Sequence, residues 1–454
     1  MKQKSETIRL IGAGLTGPLL ALELVKRGFE VEIYEKRPDI SRLRISGGRS
    51  INLALSARGI HALNQAGLWE QMQKIIVPMK GRMMHSLNSE ITFQPYGRNE
   101  SDVINSISRA ELNIALMNAA ESQGVRIHFE RRCTGINLKT GWLEFQNAET
   151  GRSELVDAGV VIGCDGSSSA IRGAMLNRNR FNFSQQYLDY GYKELTIPAG
   201  AEGKHAIDPH ALHIWPRGNY MLIALPNIDG TFACILFLPF EGADGFEQLS
   251  TRADVIAFFQ TRFPDVVPLM PDLVDNFFTN PMGSMVTIKC SPWHIEGKML
   301  LLGDSAHAIV PFFGQGINCG FEDCTVLIGL LDRFGPDWKN VFHEFEQARR
   351  ANTDAIADLA IENFEEMRDR VGDPHFLFRK KVELALEAKY PQRFVPKYSM
   401  VTFLRVPYVA ALRRGQVQDR ILTELCENIE LLDDLDWSRA ENLIYSQLTP
   451  LESL

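Results

Sequence analysis

The stretch 7-TIRLIGAGLTGPLLALELVKRGFEVEIYE-35 decides the fold. It opens with a short apolar run, turns through Gly12-Ala13-Gly14-Leu15-Thr16-Gly17, and continues as an apolar helical pattern that Gly28 stops. A second alternating run then ends at Glu35 and Arg37. Strand, glycine turn, helix and strand within about 30 residues form one unit of a parallel sheet. In a G-x-G-x-x-G of this setting the first glycine permits the tight turn and the second lets the backbone approach a pyrophosphate. The third lets helix and strand pack closely. A carboxylate about 20 residues on, here Glu35, accepts a ribose hydroxyl. The unit predicts a dinucleotide site at Gly12, Ala13, Gly14, Gly17, Glu35 and Arg37, without separating NAD from FAD.

The rest of the chain fits an enzyme of ordinary soluble composition. It has 454 residues, 45% hydrophobic and 23% charged, enough for two or three subdomains. A net charge of −8 argues against a nucleic-acid surface, which needs clustered Lys and Arg. Seven cysteines without a Cys-x-x-Cys pair point to a reduced compartment and to no metal site. The start 1-MKQKSETIRLIGAG has no signal-peptide core, and no window reaches the length of a membrane span.

Two further segments resemble ligand corners. In 160-VVIGCDGSSSAIR-172 a strand ends in Cys164-Asp165-Gly166, and a helix is expected to open at Ser167–Ser169 with free N–H groups facing a polyphosphate. An Asp-Gly turn with a Ser cap reads equally well. In 297-GKMLLLGDSAHAIVPFFGQGIN-318 a strand ends at Asp304, whose carboxylate can accept a sugar-alcohol hydroxyl. Pro311 and Gly314-Gln315-Gly316 then form a loop able to contact a flat ring. A helix expected to begin near Asn318, after Ile317, would stabilise negative charge on a reduced flavin by roughly 0.3–2 kcal/mol.

Strand-like runs at 211-ALHIW, 219-NYMLIAL and 231-TFACILFLP, separated by turn signals, predict an antiparallel sheet. From about residue 336 the pattern is helical, as in 353-TDAIADLAIENFEEMRDRV. The expected class is α/β: a Rossmann-like, FAD-binding parallel-sheet domain (1–70, 100–180 and 286–335), an interleaved antiparallel-sheet substrate domain (71–99 and 181–285) and a helical C-terminal region (336–454).

Together, G-x-G-x-x-G, C-D-G with a following S…R, and G-D-S-A-H resemble the single-component flavoprotein aromatic hydroxylases. The resemblance implies that all three segments hold FAD, that Asp165 and Gly166 also face a transient NADPH, and that Arg109 in 106-SISRAEL lies against the cofactor. Five longer segments, 48-GRSINLALS-56, 81-GRMMHSLNS-89, 212-LHIWPRGNYMLIALPN-227, 308-AIVPFFGQGINCGFEDC-324 and 394-FVPKYSMVTF-403, are similar to the kynurenine 3-monooxygenase family. That family hydroxylates L-kynurenine to 3-hydroxykynurenine with NADPH and O₂ through a flavin C4a-hydroperoxide. The resemblance implies that Arg82 and Tyr96 take the substrate carboxylate and that Asn363 and Tyr398 complete the polar end. It puts Met367 one helical turn from Asn363, and Phe313, Ile223 and Phe237 at the apolar end. Taken alone, each of the four polar residues reads better as an ordinary one: Arg82 as a surface cation, Tyr96 and Tyr398 as core tyrosines, Asn363 as a solvated helix residue.

His307 reads as a packing and hydrogen-bonding residue of the loop, since the substrate's own amino group activates the ring and no protein base is demanded. Rival readings are a hydroxylase of another aromatic acid, an NAD-dependent dehydrogenase and a flavin-binding sensor. The C-terminus 437-WSRAENLIYSQLTPLESL lacks the apolar anchor of family members from mitochondrion-bearing cells, which implies a cytoplasmic form.

Overall fold

A computed structural model describes residues 7–41, 52–88, 90–97, 99–367, 374–427 and 429–453. Residues 1–6, positions 48–51 of the segment 48-GRSINLALS-56, Ser89 and the 368–371 end of the long helical pattern lie outside them.

The first sheet has six strands in the order His294–Ile295, Met299–Leu301, Val160–Gly163, Ile8–Ile11, Val31–Tyr34 and Arg126–His128. All neighbours are parallel except the first pair. Leu10 pairs with Ile162 on one side and Ile33 on the other. These strands read as continuous apolar runs because both faces are covered; Leu10, Ile33, Ile162 and Leu300 are wholly buried. The helices Thr16–Lys26, Arg109–Ser122 and Gly316–Phe334 add Leu20, Leu116, Phe321 and Leu327 to the same core.

The second sheet has seven strands, in the order Met282–Ser291, Asn182–Ile197, Phe232–Pro239, Met221–Pro226, Ala211–Pro216, Gly81–His85 and Ile91–Pro95. The three expected strands are its antiparallel centre. Period-2 alternation gives the sheet two apolar faces. Trp215, Leu222, Cys234 and Leu236 pack on the helices Arg252–Arg262 and Leu273–Thr279 through Val255, Phe259, Leu273 and Phe277. Met84, Ile214, Met221, Ile235 and Phe237 meet Ile356, Leu359, Met400 and Tyr408 of the C-terminal helices. Each such burial contributes about 1.5–3 kcal/mol. The strand Met282–Ser291 carries this sheet beyond residue 286, where the sequence places the return to the first sheet. The long ribbon Asn182–Ile197 is a strand the sequence reading did not find.

The C-terminal region is helical, over Trp338–Glu365, Pro374–Lys389, Lys397–Thr402, Tyr408–Leu425 and Trp437–Gln447. Among the described residues no helix is long and apolar enough to cross a membrane. All seven cysteines are free thiols.

Candidate active site

A cavity of about 860 Å³ is lined by residues of both sheets and of the C-terminal helices. One end is the glycine turn. Gly12 has φ +106°, and a Cβ there would lie 2.5 Å from the Cys164 carbonyl oxygen. A Cβ on Gly17 would lie 2.2 Å from the Gly12 carbonyl oxygen, whereas Gly14 faces open space. Two glycines are thus required by packing, and the third leaves the backbone bare where the cavity begins. The Glu35 carboxylate accepts from the Ala13 N–H (2.7 Å), the Arg37 N–H (2.9 Å) and Arg37 Nε (2.8 Å). Burial works to raise its pKa, but Arg37 and these amides outweigh burial and hold it below the usual value. Gly12, Gly14, Glu35 and Arg37 line the cavity, while Ala13 and Gly17 build the turn behind it. Asn113 holds the turn from the other side, donating to the Ala13 and Gly14 carbonyls at 2.9 and 3.1 Å. No local sequence signal marks it, because Asn113 lies 99 residues from Gly14.

The corner at Asp165 differs from expectation. The helix there is Ala170–Leu176, capped by Ser169, whose Oγ accepts from the Arg172 N–H. Its first amides are not free: Asp165 Oδ2 accepts from Ala170 N–H (2.7 Å) and Ile171 N–H (3.3 Å). A carboxylate of the chain occupies the positive helix end that a phosphate would have used. Asp165 Oδ1 stays buried without a partner, and burial raises the pKa of the group. Asp165, Gly166 and Arg109, the first residue of its helix, line the cavity.

The strand ends at Leu301 rather than at Asp304, which opens a short helix, Asp304–His307, and presents its carboxylate to the cavity. Surrounding protein raises its pKa, while His307 and Arg109 pull it back. Behind it, Asp323 organises the turn. Its Oδ2 accepts from the Gly303 N–H (3.0 Å) and from His307 Nε2 (2.6 Å), and its Oδ1 from Arg349 Nε (2.7 Å). Burial disfavours a charged His307, yet Asp323 outweighs it and holds the imidazolium well above its ordinary pKa. His307 is thus engaged in a buried ion pair.

The next helix is Gly316–Phe334, starting two residues before Asn318. Gly316 and Ile317 line the cavity at its N-terminus. Gln315 and Asn318 do not. Asn318 Oδ1 accepts from the Ser56 and Gly59 N–H groups (2.9 and 3.2 Å), and its Nδ2 donates to the Ala54 and Gly314 carbonyls. Gln315 donates to Ser56 Oγ (3.3 Å) and accepts from the Tyr408 hydroxyl (2.9 Å). Both side-chain amides are engaged within the protein and support the loop that makes the wall.

At the far end, Arg82, Tyr96, Ile223, Phe237, Phe313, Met367 and Tyr398 line the same cavity. The Arg82 guanidinium lies 4.8 Å from the Tyr398 ring centre and 5.8 Å from that of Tyr96. The Tyr398 ring stacks on Phe313 at 5.4 Å. Arg82 Nε and the Tyr96 hydroxyl are buried without hydrogen-bond partners. Burial opposes the charge of Arg82, but Tyr398, Tyr96 and Glu366 outweigh it and keep the pKa above the usual arginine value. Asn363 is buried beside Met367, its Nδ2 donating to the Phe312 carbonyl (2.7 Å) and to Met367 Sδ (3.4 Å). It shapes the apolar end without lining it. Met221 and Ile235 were missed, although each lies two residues before an expected lining residue on its strand and so shares its face.

The FAD binding domain family matches residues 4–334. The chain is 52% identical over 448 residues to kynurenine 3-monooxygenase of Myxococcus xanthus, covering 98% of this chain and 96% of that one. It is 45% identical over 430 residues to kynurenine 3-monooxygenase of Flavobacterium psychrophilum, covering 94% and 96%. Among solved structures it is similar to 2-methyl-3-hydroxypyridine-5-carboxylic acid oxygenase, with TM-score 0.67 and 20% identity over 83% of this chain and 96% of that one, a likeness of fold. With this identity extending through the cavity-lining C-terminal helices as well as the FAD binding domain, the chain belongs to the kynurenine 3-monooxygenase family.

Proposed function

We propose that this protein is an FAD-dependent monooxygenase that hydroxylates L-kynurenine to 3-hydroxy-L-kynurenine with NADPH and O₂ as cosubstrates. One observation carries the reading: a half-buried arginine with a buried, unpartnered Nε, beside a buried, unpartnered tyrosine hydroxyl, opens into the same cavity as the glycine turn. A buried arginine without a bound carboxylate leaves donors unsatisfied, and a carboxylate ligand satisfies them with paired hydrogen bonds.

The residues present fit FAD. Gly14 leaves room for a pyrophosphate, Glu35 is poised at a ribose, and Asp304 offers an acceptor to a sugar-alcohol chain. Gly316 and Ile317 put the positive end of a helix of 19 residues at the cavity wall. When bound, FAD supplies the transfer of electrons from NADPH and the activation of O₂. The protein's part is to bind, orient and exclude water. Arg82, with Tyr96 and Tyr398 beside it, takes the α-carboxylate of kynurenine. Ile223, Phe237, Phe313 and Met367 then hold the aromatic ring in an apolar, water-poor end. His307 contributes no base; its proton is held by Asp323. The sequence has a single dinucleotide fingerprint, so NADPH binds transiently without a Rossmann domain of its own. Seven free thiols support a reducing, cytoplasmic setting.

The purified protein should be yellow, and kynurenine should stimulate NADPH oxidation coupled to 3-hydroxykynurenine. A panel of aromatic acids and amino acids assayed in parallel tests the substrate. Faster coupled turnover on another aromatic acid, with none on kynurenine, overturns the assignment.

A further inference from the structure

We propose that Arg58 is a positioning residue for substrate binding. It fastens the C-terminal segment 398–408 onto the flavin side of the cavity and so sets Tyr398 against Arg82. The proposal rests on the reading that these two residues meet the substrate carboxylate.

Arg58 sits in the first turn of the helix Ala57–Gln65 and is 1% exposed. Its Nε donates to Glu322 Oε1 at 2.9 Å. Its Nη1 donates to the carbonyls of Val401 (2.5 Å) and Leu404 (3.1 Å), and its Nη2 to that of Val406. The guanidinium also lies 3.9 Å from the centre of the Tyr408 ring. One side chain thus collects three carbonyls from the stretch that joins the helix Lys397–Thr402 to the helix Tyr408–Leu425. These carbonyls fall at a helix C-terminus and in a turn ending at Pro407, where the backbone has few partners of its own. A helix of six residues does not hold itself together in water. Tyr398 is on that helix.

The latch closes on the flavin side as a circuit. The Tyr408 hydroxyl donates to Gln315, and Gln315 donates to Ser56 Oγ, two residues from Arg58. The other oxygen of Glu322 accepts from Arg349 Nη1 (2.5 Å), which joins Arg58 to Asp323 and the turn that presents Asp304. A planar fork with five donors serves this geometry; an ammonium cannot reach three carbonyls and a carboxylate at once.

The test uses Arg58→Met and Arg58→Lys in the FAD-loaded protein. Amide exchange of residues 397–407 should quicken by about tenfold or more in Arg58→Met while the strand Ile8–Ile11 stays protected. The KM and Kd for kynurenine should rise about tenfold or more, with kcat at saturation within about threefold and FAD content unchanged. Arg58→Lys should recover part of both losses. Unchanged exchange at 397–407 overturns the proposal, as does local loosening with unaltered kynurenine affinity. Parallel loss of FAD and of protection throughout the sheet, in the lysine variant as well, assigns Arg58 a global structural role and also overturns it. The exchange measurement needs no substrate. Should the parent protein fail to bind kynurenine, the functional reading falls while the latch is still decided.

Discussion

Replacing Arg82 with methionine separates recognition from folding. The native side chain is half-buried on the cavity wall, with a buried, unpartnered Nε and its guanidinium 4.8 and 5.8 Å from the Tyr398 and Tyr96 ring centres. An apolar side chain of similar length fits that space and removes an incompletely satisfied buried charge, so the substrate-free protein should lose little stability. Binding is different. Removing one partner of a buried, hydrogen-bonded charge pair costs about 2–5 kcal/mol. At about 1.4 kcal/mol per tenfold, the Kd for kynurenine should rise by about 30-fold to a few thousandfold. FAD content should not change, since Arg82 is on the substrate-sheet strand Gly81–His85 and the glycine turn is on the other sheet. The assay is a titration of kynurenine against the flavin absorbance of the variant, with FAD stoichiometry and thermal unfolding measured on the same samples. Arg82→Lys should fall between, because it keeps the charge and loses the planar fork. An Arg82→Met protein that binds kynurenine as before, or one that sheds FAD, would refute the assignment.

Asp304→Ala should purify soluble but with reduced FAD occupancy, read from the ratio of flavin to protein absorbance; full loading contradicts its assigned role. Gly17→Ala forces a Cβ to within 2.2 Å of the Gly12 carbonyl oxygen, and such overpacking costs about 1–3 kcal/mol. A lowered Tm together with weaker FAD retention checks it, and an unchanged Tm sinks it. His307, whose pKa Asp323 raises above 6.5 in spite of burial, stabilises the fold fully below pH 6.5. Above that pH its contribution should fall by about 1.4 kcal/mol per pH unit until the folded-state pKa is reached. The stability gap between the parent protein and His307→Gln, measured by denaturant unfolding, should therefore narrow as pH rises above 6.5; a constant gap refutes the ion-pair reading.

What the sequence made legible is local. Glycine spacing, the carboxylate at Glu35 and the Gly303-Asp304 turn each write their chemistry within a few residues, and the cavity contains all three segments. The apolar lining positions Ile223 and Phe237 came from the family resemblance, and the strand period extends them to Met221 and Ile235 on the same faces. What was hidden depends on partners far along the chain. The side chains of Asn363 and Gln315 take partners from the Phe312 carbonyl and the Tyr408 hydroxyl, 51 and 93 residues away in the chain. The amides after Asp165 were consumed by Asp165 itself, which a spacing rule for free helix ends does not anticipate. The strand Asn182–Ile197 was missed because its first residues, NFSQQY, are exposed and polar and show no alternation.

The two ends of the cavity are built at different times. A chain emerges from the ribosome N-terminus first, and every expected cofactor contact that lines the wall has appeared by Ile317. Met367 and Tyr398 follow later. At about 5–20 residues per second the growing chain spends several seconds with a nucleotide cradle and an open roof. The nucleotide cradle is therefore complete in the chain before the residues that roof the substrate end, so FAD can be seated before the substrate pocket exists.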